Sequence, residues 1–332
     1  MTRVAMMGGG SWGTAFAVVL ADAGSQVTLW TRGDEMAADI NQFHRNSRYH
    51  PDVDLPDSII ATTDPQEALQ SAEIVVLAVP AQSLRANLKE WAQWISDEAV
   101  FVSLMKGIEL GTSMRMSEVI AEATGADPAR IAVVSGPNLA KEIIARQPTA
   151  TTVAASTQAS AIAIQQACTT DYFRPYWTTD VIGTEIGGAV KNVIAVANGI
   201  AVGMGLGENS QSSLITRGLA EIGRLGVALG ADPLTFLGLA GVGDLVATCQ
   251  SPLSRNRTFG ENLGKGLSVE ETIAVTNQTC EAYKSCQPIL ELAQKLGVEM
   301  PITAEVVEVL HFDKPPRELL SSFMARDTKS EL

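Results

Sequence analysis

The chain has few of the residues that build metal, redox or disulfide sites. Its 332 residues include only four cysteines and three histidines. The cysteines lack the C-x-x-C spacing of zinc and redox sites, and four scattered thiols do not indicate a disulfide framework. We expect reduced cysteines, solvated histidines and no metal. The residues concerned are Cys168, Cys249, Cys280, Cys286, His44, His50 and His311.

Basic residues are also in short supply. The chain has 24 Lys and Arg against 37 Asp and Glu, which gives a net charge of −13. Nucleic acids and anionic membrane surfaces attract basic patches, so neither is predicted as a partner. An anionic small-molecule substrate would need cations gathered locally. The basic residues near Lys106 and Arg255 are therefore of interest.

Long apolar runs are missing as well. The N-terminal apolar stretch is too short for the apolar region of a signal peptide. The most apolar later stretch, residues 193–206, contains Asn198 and several glycines, and we predict that it falls short of a membrane span. The composition, with 46% hydrophobic and 18% charged residues, is that of a globular protein. The length suggests two domains.

The first half alternates short apolar runs with helical patterns. Such near-continuous apolar runs are typical of parallel strands that are covered on both faces. Helical segments at residues 83–94 and 113–123 lie between them, so the pattern predicts an α/β fold with a doubly wound, Rossmann-type parallel sheet. Ligands of such sheets bind beyond the carboxyl ends of the strands. The predicted strands are residues 3–7, 26–30, 58–62, 74–79, 99–104 and 131–134.

Helical patterns dominate from about residue 183 onward. Helices are predicted over residues 186–200, 210–229, 280–296 and 304–310. We therefore expect a dinucleotide-binding domain over residues 1–182 and an all-helical substrate-binding and catalytic domain over residues 183–332, with the active site between them. The charged end at residues 326–332 is expected to fray.

A G-x-G-x-x-G turn directly follows the first predicted strand. A side chain at Gly8 would obstruct the bend, one at Gly10 would keep the backbone away from a pyrophosphate, and one at Gly13 would push the next helix off the strand. The helix predicted from Trp12 directs its N-terminal amides at the phosphates. Because a strand precedes this turn and a helix and strand follow it, the turn predicts a dinucleotide site.

Arg32 bears on the choice of dinucleotide. An NAD site usually has Asp or Glu about twenty residues past the glycines, whereas an arginine there accommodates the 2′-phosphate of NADP. In this chain Arg32 follows the second predicted strand and precedes Asp34 and Glu35. The pattern favours NADP, with NAD as the alternative. A solvated loop arginine is the simpler interpretation of Arg32.

Lys191 is the candidate acid–base group. It lies in a helical, mostly apolar segment behind three small residues, Gly187, Gly188 and Ala189. In a partly dry cleft the pKa of a lysine falls, which lets the neutral amine take a proton from an alcohol. A surface lysine is the alternative, and the small neighbours favour the cleft.

A second cluster is suited to a small phosphate. Ser254, Arg255 and Asn256 offer a hydroxyl, a guanidinium and an amide side by side, and arginine binds phosphate in bidentate fashion. Gly243 before Asp244 permits close backbone approach. A helix N-cap at Ser254 is the structural alternative, and both interpretations are compatible because a helix N-terminus is itself an anion site.

With these motifs the chain resembles the NAD(P)-dependent glycerol-3-phosphate dehydrogenases of bacterial type over nearly its whole length. The resemblance implies interconversion of sn-glycerol 3-phosphate and dihydroxyacetone phosphate with NADP(H) or NAD(H), Lys191 being the proton acceptor and donor. The implied substrate-binding residues are Lys106, Gly136, Asn138, Lys191, Asn192, Asp244, Thr248, Ser254, Arg255 and Asn256. The implied cofactor-binding residues are Gly8, Gly10, Ser11, Trp12, Gly13, Arg32, Tyr49, Lys106, Ala140, Arg255 and Glu281.

The resemblance also implies a cytoplasmic homodimer that supplies glycerol phosphate for phospholipid synthesis. The chain departs from the family pattern at Asn138, where a hydroxylic residue is common, and at Thr279, where valine is usual. Two alternatives stay open. A β-hydroxyacid or 6-phosphogluconate type of dehydrogenase would need a carboxylate-binding group in place of the phosphate cluster. A cofactor sensor without catalysis would need neither Lys191 nor that cluster.

Overall fold

The computed structural model describes residues 1–276 and 280–319. Its strands are β1 Arg3–Met7, β2 Gln26–Trp30, β3 Ile59–Thr62, β4 Ile74–Leu77, β5 Val100–Ser103, β6 Ile131–Ser135, β7 Thr149–Ala155 and β8 Phe173–Thr178. They form a sheet in the order β3-β2-β1-β4-β5-β6-β7-β8. Thr279 and the charged end at 326–332 lie outside the described residues.

Helices cover both faces of this sheet. They are α1 Ser11–Asp22, α2 Asp34–Phe43, α3 Pro65–Leu69, α4 Leu84–Trp91, α5 Met116–Thr124, α6 Ala140–Ile144 and α7 Gln158–Ala167. Alternate residues of β1 belong to different cores, Val4 and Met6 to one face and Ala5 and Met7 to the other. This two-sided burial explains why the strand is apolar at successive positions. The predicted doubly wound fold is confirmed.

The sheet continues past the last predicted strand. β7 pairs antiparallel with β6, and β8 then pairs parallel with β7. Neither β7 nor β8 was predicted from the sequence. β7 consists of Thr, Ala and a single Val, which is a weak apolar signal. β8 contains Arg174 and Pro175, and proline is tolerated there because β8 is an edge strand of the sheet.

The second part of the chain is helical, as predicted. Its helices are α8 Val181–Gly203, α9 Glu208–Ala228, α10 Asp244–Gln250, α11 Arg255–Gly264, α12 Val269–Thr276, α13 Glu281–Lys295 and α14 Pro301–His311. The expected boundary at residue 183 falls within the first turn of α8. The division into residues 1–182 and 183–332 stays a prediction.

Helix α8 is the centre of the helical core. By length and composition it could cross a membrane, but 89% of its most apolar window is buried inside the protein. The sequence predicts that residues 193–206, interrupted by Asn198 and glycines, fall short of a span. In the structure α8 is long enough, and its burial is what argues against a span. A helix that is apolar on all sides is expected in a core.

Glycines let α11 lie directly against α8. A Cβ added at Gly260 would be 2.1 Å from the carbonyl oxygen of Val196, and one at Gly199 would be 2.1 Å from that of Arg257. The two backbones therefore approach more closely than side chains would allow. This packing brings the start of α11, with Arg255 and Asn256, beside the middle of α8.

A buried ion pair ties α8 to the sheet part. The carboxylate of Glu185, near the start of α8, accepts hydrogen bonds from Arg115 Nη1 at 2.6 Å, Ser117 N at 2.8 Å and Ser117 Oγ at 2.6 Å. Arg115 and Ser117 lie at the start of α5. The position of α8, and of Lys191 further along it, is thereby fixed relative to the sheet.

Candidate active site

The site lies where α8 passes the carboxyl ends of β5 and β6. A Cβ added at Gly188 would be 2.7 Å from Ser135 Oγ at the end of β6, and one at Gly187 would be 2.3 Å from the carbonyl oxygen of Ala240. A larger residue at Gly188 would push α8 away from the sheet, and one at Gly187 would push it away from the helical segment that contains Ala240. The small residues before Lys191 are thus explained by this close approach.

Three charged groups meet at this point. The Lys191 amine donates to Asp244 Oδ1 at 2.5 Å and to Thr248 Oγ1 at 2.6 Å. The amine of Lys106, which follows β5, donates to Asp244 Oδ2 at 2.6 Å and to the carbonyl oxygen of Gly136 at 3.2 Å. Asp244 is 1% exposed and Lys191 is 6% exposed. One carboxylate therefore holds two lysines in a nearly dry cleft.

The surroundings lower the pKa of Lys191 to about 8. Burial is the main cause, since it disfavours the charged ammonium, and the nearby charge of Lys106 acts in the same direction. The carboxylate of Asp244 opposes both by stabilising the ammonium. A lysine with this pKa can hold or release a proton near neutral pH. The surface-lysine alternative is wrong for Lys191.

A chain of amide hydrogen bonds links the helical elements beside Lys191. Asn256 Nδ2 donates to Asn192 Oδ1 at 3.0 Å, and Asn192 Nδ2 donates to Glu281 Oε2 at 3.0 Å. Asn256 Oδ1 accepts from the backbone N–H of Ala282 at 3.2 Å. These contacts fix the orientation of both amides. They also place Asn192 and Asn256, which were predicted to bind the substrate, next to Glu281, which was predicted to bind the cofactor.

Ser254 is the N-cap of α11, which confirms the structural alternative that the sequence offered for this residue. Its Oγ accepts from the backbone N–H of Arg257 at 3.2 Å, so its hydroxyl hydrogen can still be donated elsewhere. Arg255 lies in the first turn and is half exposed, with Nη2 3.7 Å from Glu281 Oε1. This weak ion pair leaves most of the guanidinium available to an anion.

Asn138 and Gly136 follow β6 and face β7. Gly136 has a φ of +151°, and a Cβ there would be 3.0 Å from Thr151 Oγ1. Asn138 Nδ2 donates to Thr151 Oγ1 at 3.0 Å, while its buried Oδ1 has no hydrogen-bond partner among the described residues. The donor of Asn138 is thus engaged within the protein, and its acceptor is the group that a ligand could use.

The glycine-rich turn has the geometry that dinucleotide phosphates need. Gly8 has a φ of +138° and a Cβ there would be 2.5 Å from the carbonyl oxygen of Ala78, whereas a Cβ at Gly13 would be 2.0 Å from that of Gly8. Nothing lies within 4 Å of a Cβ at Gly10, so the turn is open on the side where phosphates would approach. Trp12 Nε1 is buried without a partner in the described part of the chain. These residues fit a dinucleotide.

The other expected cofactor residues surround this turn or lie beyond it. Arg32 is exposed at the end of β2 and has no hydrogen bond or ion pair with described residues. Tyr49 lies on the loop after α2, with the Arg48 guanidinium 5.5 Å from its ring centre. Ala140 begins α6, and Glu281 begins α13 beside Arg255. Ser11 begins α1.

Sequence reasoning missed two residues beside the turn. His50, expected in solvent, is 3% exposed and its Nε2 lies 2.9 Å from the carbonyl oxygen of Ser11. Asn46 Nδ2 lies 3.0 Å from the carbonyl oxygen of Gly9. No spacing in the sequence signals these contacts, because they depend on how the loop after α2 folds back. The expectation for His50 was wrong.

Comparisons with known proteins agree with this geometry. The chain matches the family models for the NAD-dependent glycerol-3-phosphate dehydrogenase N-terminus over residues 3–161 and C-terminus over residues 180–321. It is 58% identical to a glycerol-3-phosphate dehydrogenase [NAD(P)+] of Streptomyces avermitilis, over 99% of this chain and 98% of that protein. The corresponding protein of Corynebacterium glutamicum strain R is 57% identical over 100% of both chains.

A solved structure supports the same assignment. The crystal structure of glycerol-3-phosphate dehydrogenase from Coxiella burnetii superposes with a TM-score of 0.93 and 36% identity, covering 97% of this chain and 98% of that one. Both halves of the fold are thus matched together. The chain belongs to the NAD(P)-dependent glycerol-3-phosphate dehydrogenase family.

Proposed function

We propose that this chain interconverts sn-glycerol 3-phosphate and dihydroxyacetone phosphate, with Lys191 as the catalytic proton donor and acceptor. The observation that carries the proposal is the buried Lys191 amine, held between Asp244 and Thr248 where α8 meets the sheet. In ketone reduction the ammonium of Lys191 donates a proton to the developing alkoxide. In alcohol oxidation the neutral amine removes it. Positioned proton transfer of this kind contributes roughly 10²–10⁴-fold to the rate.

Asp244 and Thr248 are positioning residues for this amine. They lie four positions apart in α10, so both face Lys191 from the same side of that helix. Lys106 shares Asp244 and adds positive charge at the point where negative charge would develop on the substrate oxygen. Asn192, next to Lys191, is held by Asn256 and can supply an amide to the same oxygen.

The phosphate of the substrate is assigned to the start of α11. Ser254 has a hydroxyl hydrogen to donate, Arg255 offers a largely free guanidinium, and a helix N-terminus favours an anion. The protein as a whole has a net charge of −13 and would repel an anionic substrate. These groups provide positive charge locally, where the phosphate would bind.

The dinucleotide is assigned to the glycine-rich turn and its surroundings. Gly8, Gly10 and Gly13 leave room for the pyrophosphate, with Ser11 and Trp12 at the first turn of α1. When bound, the nicotinamide supplies or accepts the hydride. The further residues assigned to it are Arg32, Tyr49, Lys106, Ala140, Arg255 and Glu281.

A steady-state assay tests the proposed activity directly. Dihydroxyacetone phosphate is offered with NADPH and with NADH in parallel, and oxidation of the dinucleotide is followed by absorbance. Turnover with either dinucleotide is expected. In the opposite direction, with NADP+ or NAD+ supplied, glycerol 3-phosphate should be oxidised and β-hydroxyacids should not. We further propose a cytoplasmic homodimer that supplies glycerol phosphate for glycerophospholipid synthesis. Sedimentation velocity tests the dimer.

The two directions of the reaction should respond oppositely to pH. Because the pKa of Lys191 is lowered to about 8, kcat/KM for glycerol 3-phosphate oxidation should rise with pH and level off above 8. In that direction the neutral amine is needed, so the slope below 8 is about tenfold per pH unit. For dihydroxyacetone phosphate reduction the ammonium is needed, so kcat/KM should fall above 8. Parallel profiles in the two directions would contradict this role.

Replacement of Arg32 tests the coenzyme preference. Arg32 is exposed and unengaged, and Asp34 already accepts a hydrogen bond from Thr63 Oγ1 at 2.9 Å. Arg32→Ala should raise KM for NADPH by about tenfold or more and leave KM for NADH nearly unchanged, since a charge-assisted hydrogen bond contributes about 1.5–3 kcal/mol. Arg45→Ala is the matched control, because Arg45 is paired with Asp54 at 2.7 Å. An unaltered NADPH preference would remove Arg32 from the site.

A further inference from the structure

A short turn after α2 packs against the glycine-rich turn. We name residues 46–50 the support turn. It is closed by a hydrogen bond from His50 N to the carbonyl oxygen of Asn46 at 2.8 Å. Asn46 and His50 are 0% and 3% exposed. The side chains at both of its ends contact the backbone of the glycine-rich turn.

Asn46 holds one side of the glycine-rich turn. Its Nδ2 donates to the carbonyl oxygen of Gly9 at 3.0 Å and to Thr14 Oγ1 at 2.8 Å. The support turn is therefore anchored to the backbone just before α1 and to the second turn of that helix. This anchoring gives His50 a fixed position relative to Ser11.

The hydrogen-bond geometry at His50 decides which atom donates. His50 Nε2 lies 2.9 Å from the carbonyl oxygen of Ser11 and 3.3 Å from Ser11 Oγ. A carbonyl oxygen only accepts, so Nε2 must carry the hydrogen. Ser11 Oγ can then only accept from Nε2. Its own hydroxyl hydrogen is left to be donated to another group.

The environment keeps His50 in this state. Burial lowers the pKa of His50 and outweighs the hydrogen bond to Ser11, which raises it, while the nearby charge of Lys141 also lowers it, so the net shift favours the neutral imidazole. A neutral imidazole has a single N–H, and here it is assigned to Nε2. His50 Nε2 therefore cannot accept a hydrogen bond from the Ser11 hydroxyl.

The first turn of α1 has no acidic side chain and no side-chain cap that could accept a hydrogen bond from the Ser11 hydroxyl. Its N-cap, Gly10, has no side chain to bond the free amides, and no acidic residue lies in the first turn. The proposed function places a dinucleotide phosphate at this helix N-terminus. A serine hydroxyl that must donate, beside amides that must donate, forms a set that is complementary to phosphate oxygens.

We propose that His50 is a positioning residue for the dinucleotide, which holds Ser11 so that the Ser11 hydroxyl donates to a phosphate oxygen. The inference rests on the proposed function, because it places the phosphates at the glycine-rich turn. His50 contributes no contact of its own to the ligand. Its whole effect is exerted through Ser11, and this separates the proposal from a general packing role.

A pair of amide variants tests the proposal. In His50→Gln the Nε2 amide can occupy the place of the imidazole Nε2–H, whereas in His50→Asn the shorter side chain cannot reach Ser11. NADPH dissociation constants are measured by fluorescence titration. His50→Asn should bind NADPH about five- to tenfold more weakly and His50→Gln within about twofold of the wild type, as expected for one lost hydrogen bond. At saturating NADPH, kcat and KM for dihydroxyacetone phosphate should be unchanged.

A double-mutant cycle with Ser11→Ala isolates the mechanism. Because His50 acts through the Ser11 hydroxyl, Ser11→Ala combined with His50→Asn should bind NADPH no more weakly than Ser11→Ala alone, within about twofold. His44→Asn is the control on the same loop: it contacts Asp57 rather than the glycine-rich turn, and asparagine tolerates its φ of 50°. It should bind like the wild type.

Three results would overturn the proposal. They are wild-type affinity in His50→Asn, multiplicative losses in the double variant, and a fall in kcat at saturating NADPH. Failure of the wild type itself to bind NADPH would instead overturn the proposed function, and the inference with it. Thermal unfolding of each variant identifies any loss of affinity that follows from loss of the fold.

Discussion

Replacement of Lys191 by alanine should lower kcat by about 10²–10⁴-fold in both directions. In the proposed mechanism the amine is the group that reaches the reacting oxygen, and its partners Asp244 and Thr248 are assigned to holding it. Lys106 is bound to Asp244 Oδ2 and to the carbonyl oxygen of Gly136, so it cannot take over without breaking both contacts. Steady-state assays with NADPH and dihydroxyacetone phosphate measure the loss.

The Lys191→Ala variant should lose turnover but keep its affinity for NADPH. The glycine-rich turn is formed by β1 and α1 and shares no hydrogen bond with Lys191, so the NADPH dissociation constant should stay within about twofold of the wild type. Asp244 keeps Lys106 as a partner, and no buried carboxylate is left unpaired. Lys89→Ala, on the exposed face of α4, is the matched control. Near-normal turnover in Lys191→Ala would reject the mechanism.

Much of the fold could be predicted because the strongest patterns report burial. β1 and β4 are apolar at successive positions since both faces of the sheet are covered, and α8 is apolar on all sides since it lies in the helical core. The glycine-rich turn could also be predicted, because its glycines are required by steric contacts with nearby backbone, and the spacing of the glycines shows this requirement. Structural requirements that involve neighbouring residues can therefore be recognised from the sequence.

The contacts that were missed are long-range. Lys106 and Asp244 are 138 positions apart, and His50 and Ser11 are 39 apart. Each pair is brought together by the arrangement of several elements, so its spacing in the sequence carries no information. β8 was missed for a different reason. Pro175 and Arg174 are poor strand signals, and they are acceptable only because the strand lies at the edge.

Asp244 should be the residue whose neutralisation damages both stability and catalysis. In Asp244→Asn the buried Lys191 and the partly buried Lys106 would face an uncharged amide. Loss of one partner of a buried ion pair costs about 3–5 kcal/mol, and the free energy of unfolding at pH 7 should fall by about that amount. The variant should also lose about 10²-fold in kcat/KM for ketone reduction, because Lys191 is neither oriented nor kept protonated. Denaturant unfolding and steady-state assays measure the two losses.

The stability deficit of Asp244→Asn should depend on pH in a defined direction. Without the carboxylate the folded pKa of Lys191 falls below about 8. A folded pKa below the unfolded value means that the unfolded chain binds more protons, so stability rises with pH above the folded pKa. The variant begins this rise at lower pH than the wild type. Its deficit should therefore shrink as pH approaches 8 and stay constant above it.

The oxidation profile of the same variant tests the charge argument independently of stability. The rising limb of kcat/KM for glycerol 3-phosphate oxidation should move to lower pH, since the neutral amine forms more readily without Asp244. Asp97→Asn is the control, because Asp97 is exposed and precedes β5, whereas Lys106 follows the other end of that strand; it should leave the limb and the stability unchanged. A limb that stays near pH 8 in Asp244→Asn would mean that burial and Lys106, rather than the balance between two lysines and one carboxylate, set the proton affinity of Lys191.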